Sequence, residues 1–315
     1  MTSSLVDVHS HFVTGDYIAA ARQAGHDVPD GMPGWPSWSA EEHLRLMDDA
    51  GIGQALLSIS SPGVHFGDDD TARDVARHVN DFGIAVAAAH PGRFGLFASL
   101  PLPDVDGAIA EIRRVRAESG VAGFSVMSNA HGVYLGDPRY APLWAELDRH
   151  EAVLFVHPTK PLNADAVALG RPLPMIEFPF DTARTVVDLI FAGVLLRHPR
   201  IRFVFTHSGG VLPLLMDRVE LFRGRALGIG DGDPAESARI QLGKLWFDCA
   251  GTPMPTALST LASVVGTDRL LFGTDYCFTR PAQVLAGIGE IEKAGACPAG
   301  GSWLDLFRRN TKALR

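Results

Sequence analysis

A parallel (β/α)8 barrel is the fold class that this 315-residue sequence predicts. Three observations predict it. Eight short runs are nearly continuous in apolar residues, as strands buried on both faces should be. Amphipathic segments of helical length alternate with them. No Gly-x-Gly-x-x-Gly follows the first run, which counts against the competing doubly wound open sheet.

The expected strands are 5–8, 54–59, 94–100, 121–126, 153–156, 202–206, 245–248 and 270–273. The expected helices are 40–50, 70–89, 104–119, 140–150, 181–197, 211–227, 256–265 and 281–293. Ser39 with Glu42 three residues on is a capping-box pattern that starts the first helix, and Gly51 ends it. Pro91-Gly92 stops the second helix, Gly120 the third, and His198-Pro199 the fifth. With 33 Gly and 21 Pro, the chain has the turn residues that many short elements need. Segment 12–39 departs from the repeat. It is long and rich in Pro and Gly, but Trp35 and Trp38 argue against disorder, so it is expected to be an ordered lid over the barrel. The last residues, 300–315, read as a terminal amphipathic helix, packed outside the barrel or on a partner. The whole chain, 1–315, is expected to form a single barrel domain.

Composition narrows the function. Hydrophobic residues make up 46% of the chain, too many for disorder, and a chain this long should bury roughly 75% of its unfolded surface. The formal charge of −8, with no Lys/Arg block, predicts no nucleic-acid partner. No apolar run approaches the roughly 20 residues of a membrane span, and residues 1–12 do not read as a signal peptide. Cys249, Cys277 and Cys297 are odd in number and form no Cys-x-x-Cys pair, which points to free thiols in a reducing, cytoplasmic compartment.

The chemistry-bearing residues sit at strand ends. In Val6-Asp7-Val8-His9-Ser10-His11, side chains two apart share a strand face, so His9 and His11 can reach one metal ion. His157 closes Leu154-Phe155-Val156, His207 closes Phe203-Val204-Phe205-Thr206, and Asp275 closes Leu271-Phe272-Gly273-Thr274. Each alone could be a satisfied core residue. Together, at the carboxyl ends of barrel strands, they are placed to converge. Neutral imidazoles with one carboxylate suit Zn²⁺, Mn²⁺ or Fe²⁺. The fourth run ends in Ser125-Val126-Met127-Ser128, without a Lys or Glu to bridge a second ion, so a single divalent metal is expected. The ligand set does not choose among these ions; zinc is the first expectation and manganese the alternative. Cys277 neighbours an anionic group and is not read as a nucleophile. Phe12, Trp35, Trp38, Met127 and Phe180 either wall an aromatic pocket or belong to the core.

These motifs resemble the amidohydrolase superfamily: His-x-His on the first strand, His157 in His-Pro-Thr, His207 in Thr-His-Ser-Gly-Gly and Asp275 in Phe-Gly-Thr-Asp-Tyr. The resemblance runs from His9 to about Tyr276. The Thr-His-Ser-Gly-Gly segment, Leu212-Pro213 and a following Arg look like the aminocarboxymuconate-semialdehyde decarboxylase branch. Segments 30–33, 58–63 and 100–104 look most like the 6-methylsalicylate decarboxylases within it. The resemblance implies a TIM barrel of metal-dependent hydrolase type, with His9, His11, His157 and Asp275 as metal ligands and His207 as a catalytic residue beside them. It implies that Arg218 holds a substrate carboxylate across a dimer interface, in a homodimer or higher homo-oligomer; the competing reading of Arg218 is a solvated helix charge. His65 and His131, in loops on the same face, are candidate substrate contacts. The implied reaction is non-oxidative, metal-dependent decarboxylation of a small hydroxylated aromatic acid of the salicylate type, with Asp275 or His207 delivering the proton. A lactone or amide hydrolase, with Asp275 as base, is the alternative, and a barrel that only binds is a third reading.

Overall fold

A computed structural model describes residues 4–223 and 237–314. Eight parallel strands follow one another around one sheet in sequence order. They are β1 (Leu5–His11), β2 (Ile52–Ser58), β3 (Phe94–Ser99), β4 (Val121–Met127), β5 (Val153–His157), β6 (Arg202–Phe205), β7 (Trp246–Asp248) and β8 (Leu270–Leu271). The ring closes where Val8 N–H donates to the Phe272 carbonyl at 2.9 Å and Asp7 bridges Phe272 in parallel. This is the (β/α)8 TIM barrel that the alternation predicts.

Two apolar shells hold it. Val6, Leu56, Phe97, Phe155, Val204, Trp246 and Leu271 form one cluster drawn from strands around the sheet. A larger cluster contains the alternate strand residues, such as Leu57, Leu96, Leu154 and Phe203, with the inward stripes of the helices. Those helices are α1 (Gly15–Gln23), α2 (Ala40–Asp49), α3 (Asp69–Ala89), α4 (Val105–Val115), α5 (Ala141–Arg149), α6 (Glu177–Phe191), α7 (Leu212–Leu221), α8 (Leu258–Val265), α9 (Pro281–Lys293) and α10 (Trp303–Leu314). The Ser39 hydroxyl accepts from Glu42 N–H at 3.2 Å, so the predicted cap starts α2.

Two expectations change. Segment 12–39 is not all loop: α1 lies inside it, capped by the Thr14 hydroxyl, which accepts from Tyr17 N–H at 3.0 Å. Tyr17 and Ala21, one turn apart, are its buried face, and two buried positions are too weak a periodicity to stand out beside the Pro and Gly that follow. The predicted helix 181–197 begins earlier, at Glu177, and breaks at Gly193, whose φ of 67° ends α6 before a short turn, Val194–Arg197. The last four residues of the predicted helix 211–227 lie outside the described residues. The terminal helix α10 lies outside the strands, one of the two placements the sequence offered. It packs on β1 and β8, Phe307 meets Phe272, and Leu314 joins the inner cluster.

One ion-paired carboxylate ties two outer helices. Glu146 of α5 is buried and takes hydrogen bonds from Arg113 of α4 at 3.0 and 3.3 Å and from Arg149 at 2.5 Å. The Arg113 hydrogen bond, against partial burial and with Arg149 adding to it, holds the Glu146 carboxyl down at about 2, from 4.5. A depressed carboxyl stabilises the fold above its unfolded pKa, and that contribution disappears as pH falls from about 4.5 through about 2. Both arginines are well exposed, so the expected loss in Glu146→Gln at pH 7 is only about 1 kcal/mol. Urea unfolding should show that difference at pH 7 and a smaller one at pH 3.

Candidate metal centre

The four predicted ligands meet at the carboxyl end of the barrel. One nitrogen or oxygen from each of His9, His11, His157 and Asp275 lies within 4.8 Å of the others. The His9 and His11 Nε2 atoms face each other at 3.0 Å, and Asp275 Oδ1 lies 3.4 Å from the first and 3.1 Å from the second. The His157 ring stands edge-on to both imidazoles. Pairing between β1 and β2 shifts register between Asp7 and Ser10, so the His-x-His strand carries a bulge just where its ligands begin.

The surroundings test whether these residues suit a cation. Each ligand imidazole spends its Nδ1 on a partner. His9 Nδ1 meets Asp248 Oδ2 at 2.8 Å, His11 Nδ1 meets the Ser58 hydroxyl at 3.0 Å, and His157 Nδ1 donates to the Pro158 carbonyl at 2.7 Å. In a neutral imidazole, Nδ1 protonation leaves Nε2 bare, the arrangement that metal-binding imidazoles require. Burial pushes the His11 and His157 pKa values down, the latter far down with help from the neighbouring rings, so both are neutral imidazoles. For His9, burial is outweighed by the Asp248 and Asp275 carboxylates, which push it up to about 10. Hydrogen bonds from His11, His207 and His9 overcome burial and hold Asp275 well below the usual carboxylate range. Three imidazoles and one carboxylate, each oriented from behind, fit a single divalent cation.

His207 stands on the open side of the cluster. Its Nε2 is 3.5 Å from Asp275 Oδ2, and its Nδ1 is engaged by the Thr206 hydroxyl at 3.0 Å. His207, Ser208 and Asp275 all have φ between 53° and 61°. Left-handed backbone at three non-glycine residues is strain gathered at one site, as functional sites often show. Gly273 lets β8 pass the cluster: a Cβ there would sit 2.7 Å from the His9 Cβ. Gly273→Ala is therefore expected to displace His9 and weaken metal uptake more than it lowers the unfolding temperature, which a metal titration beside a thermal melt would read out.

The cluster opens into a cavity of about 650 Å³. His157, His207 and Asp275 form its polar end, and Met175, Ile176, Phe178, Phe180 and Phe278 its apolar wall. Pro29, Asp30 and Met32 of segment 12–39 border it. Of the five residues offered for an aromatic pocket, Phe180 lines this cavity. Phe12, Trp35 and Trp38 pack in the core around Tyr17 and Phe82, and Met127 lines a different cavity. His65 and His131 also line that second cavity, bonded to each other at 2.9 Å. Arg218 is exposed on α7, over the Phe222 ring at 5.1 Å, and does not line the metal cavity of its own chain.

Two buried carboxylates complete the centre and were not singled out from the sequence. Asp248 orients His9, and its other oxygen accepts from His207 N–H at 3.0 Å and Ala250 N–H at 2.9 Å. Asp7 takes hydrogen bonds from His9 N–H and from Thr274, so it fastens β1 to the segment that carries Asp275; burial pushes its pKa up to about 7 despite these bonds. Asp248 offered the signal that exposed the ligands, a polar residue ending an apolar run.

The family model described as amidohydrolase matches residues 6–300. The chain belongs to the amidohydrolase family. Within that family it is 31% identical over 320 residues to the 6-methylsalicylic acid decarboxylase of Aspergillus aculeatus, covering 98% of this chain and 95% of the relative. It is 32% identical over 251 residues to the gamma-resorcylate decarboxylase of Rhodococcus jostii, covering 75% and 76%. The 2,6-dihydroxybenzoate decarboxylase from Rhizobium superposes with a TM-score of 0.82 at 25% identity, over 100% of this chain and 98% of that one. His9, His11, His157 and Asp275, which the sequence offered as ligands, lie together at the carboxyl ends of the strands. No described helix is long and apolar enough to cross a membrane.

Proposed function

We propose that this amidohydrolase is a metal-dependent, non-oxidative decarboxylase of small hydroxylated aromatic acids of the salicylate type, with 6-methylsalicylate as the first candidate. One observation carries the reading: three imidazoles and a carboxylate converge at the end of a cavity whose wall is aromatic and aliphatic, in a chain similar over nearly its full length to a 6-methylsalicylic acid decarboxylase. His9, His11, His157 and Asp275 would hold one divalent ion, zinc by preference and manganese as the alternative. The bound ion would supply positive charge for the substrate's carboxylate and adjacent phenolic oxygen.

The chain's own groups account for the rest. Phe178, Phe180 and Phe278 hold the ring and exclude water from that side. Losing CO₂ directly would leave a poor aryl carbanion, so protonation of the ring carbon comes first. The Asp275–His207 pair would hold that proton, a role that their 3.5 Å separation supports. The ring carbon gains it, the carbon–carboxyl bond breaks, and its electron pair restores the aromatic ring as CO₂ leaves. Water resupplies the proton. Segment 12–39 serves as the lid of a single-domain enzyme, a role supported by Pro29, Asp30 and Met32 at the cavity edge. The free thiols Cys249, Cys277 and Cys297 support a reducing, cytoplasmic setting.

The test is CO₂ release from 6-methylsalicylate and 2,6-dihydroxybenzoate by protein of measured metal content. Turnover of lactones or amides without release of CO₂ would overturn the reading. We further propose that Arg218 serves the cavity of a second subunit, as its exposure on α7 permits. Arg218→Ala and His157→Ala should each be nearly inactive alone, and an equimolar mixture exchanged into mixed dimers should regain up to about a quarter of the wild-type activity, because one site of the hybrid is intact. A mixture as inactive as its components would remove the shared-site idea.

A further inference from the structure

Beside the metal centre lies a second cavity, of about 380 Å³, at the same end of the barrel. Asp30 borders both cavities. Its Oδ2 accepts from the Ser61 hydroxyl at 2.6 Å and the Thr159 hydroxyl at 3.1 Å, so a hydrogen-bonded partition separates the two spaces.

Two features set the chemistry of this space. The first is a bare imidazole nitrogen. Gly67 N–H donates to His65 Nδ1 at 3.1 Å, so that nitrogen carries no proton, and His65 Nε2–H donates to Asp69 at 2.9 Å. The 2.9 Å contact between His65 Nδ1 and His131 Nε2 then needs its proton on His131. Burial and repulsion from His65 outweigh a hydrogen bond to the His65 backbone and lower the His131 pKa, so the ring is neutral and, with the proton on Nε2, its Nδ1 is an acceptor. His131 is held there against its backbone preference. It and Gly132, with φ of 52° and 83°, turn a two-residue hairpin between Asn129–Ala130 and Val133–Tyr134, where Asn or Gly is the usual first residue. The second feature is charge. Lys160 is the one cation among the lining Lys and Arg residues and is paired with Asp165 at 3.0 Å, while Asp30 and Asp165 are both anionic neighbours. A carboxylate would find no free positive partner. Leu100, Leu102 and Met127 supply apolar floor, and Ser125, 1% exposed, adds a hydroxyl without a partner among the described residues.

We propose that this cavity is a second ligand site, for a neutral monocyclic phenol whose hydroxyl donates to His131 Nδ1 and whose ring lies on the apolar floor. A phenol is what loss of CO₂ leaves from a hydroxylated aromatic acid, so the cavity receives product beside the centre that forms it; the product assignment rests on the decarboxylase reading, and the site does not.

Calorimetry with 3-methylphenol and with 6-methylsalicylate separates the two. 3-Methylphenol is expected to bind metal-loaded wild type and the metal-depleted His157→Ala alike, and metal-loaded His131→Gly about tenfold more weakly, the worth of one hydrogen bond. Glycine suits the left-handed turn, so His131→Gly should keep its unfolding temperature. 6-Methylsalicylate should bind His131→Gly as it binds wild type. Unchanged 3-methylphenol affinity in His131→Gly, its loss in His157→Ala, or no binding to wild type would each overturn the proposal. These outcomes do not depend on turnover, so an enzyme that releases no CO₂ would sink the decarboxylase reading and leave this measurement valid.

Discussion

Replacing His157 with alanine is expected to reduce CO₂ release by about 10³-fold or more and to drop the metal content from one ion per chain to nearly none. The size follows from what the residue does. His157 is a neutral, buried imidazole whose Nδ1 is tied to Pro158, so its Nε2 is committed to the cluster. Without it, two imidazoles and one carboxylate remain, and both the ion and its charge on the substrate are lost, a contribution of several kcal/mol. The fold should survive, because His157 ends β5 beyond the Val153–Val156 packing. Elemental analysis, CO₂ release and circular dichroism on the same sample give the three readouts. Wild-type turnover from a verified metal-free variant would disprove the metal centre.

Asp248→Asn is expected to weaken metal affinity by about 10- to 100-fold although Asp248 is not a ligand. The carboxylate accepts on both sides: Oδ2 from His9 Nδ1, Oδ1 from the His207 and Ala250 amides. An amide has one acceptor. With its NH₂ toward His9, the imidazole must move its proton to Nε2 and lose the lone pair that would bind the ion. With its NH₂ turned the other way, it faces two N–H donors in a fully buried space, at a cost of about 1–3 kcal/mol. Either orientation penalises the loaded site. Competition against a chromophoric chelator measures the affinity, and an unchanged value would show that His9 needs no orienting partner.

The eight strands were legible because strands buried on both faces are apolar almost throughout, and the ligands because polar residues that end such runs stand out. His9 and His11 share a face by strand periodicity alone. The helix α1 was not legible, since Tyr17 and Ala21 alone carry its buried face. Asp248 offered the ligands' signal, yet its partner His9 lies 239 residues away, and sequence spacing has no term for that approach.

Local pattern therefore settled the alternation of elements, the barrel class and the residues capable of binding a cation, because each depends on neighbours within a few positions. Tertiary structure alone decided which nitrogen of each imidazole faces the cluster, that His65 and His131 border a separate cavity, and that Arg218 does not line the metal cavity of its own chain. Those outcomes depend on hydrogen bonds and approaches between segments far apart in the chain, and only closure of the ring brings these together.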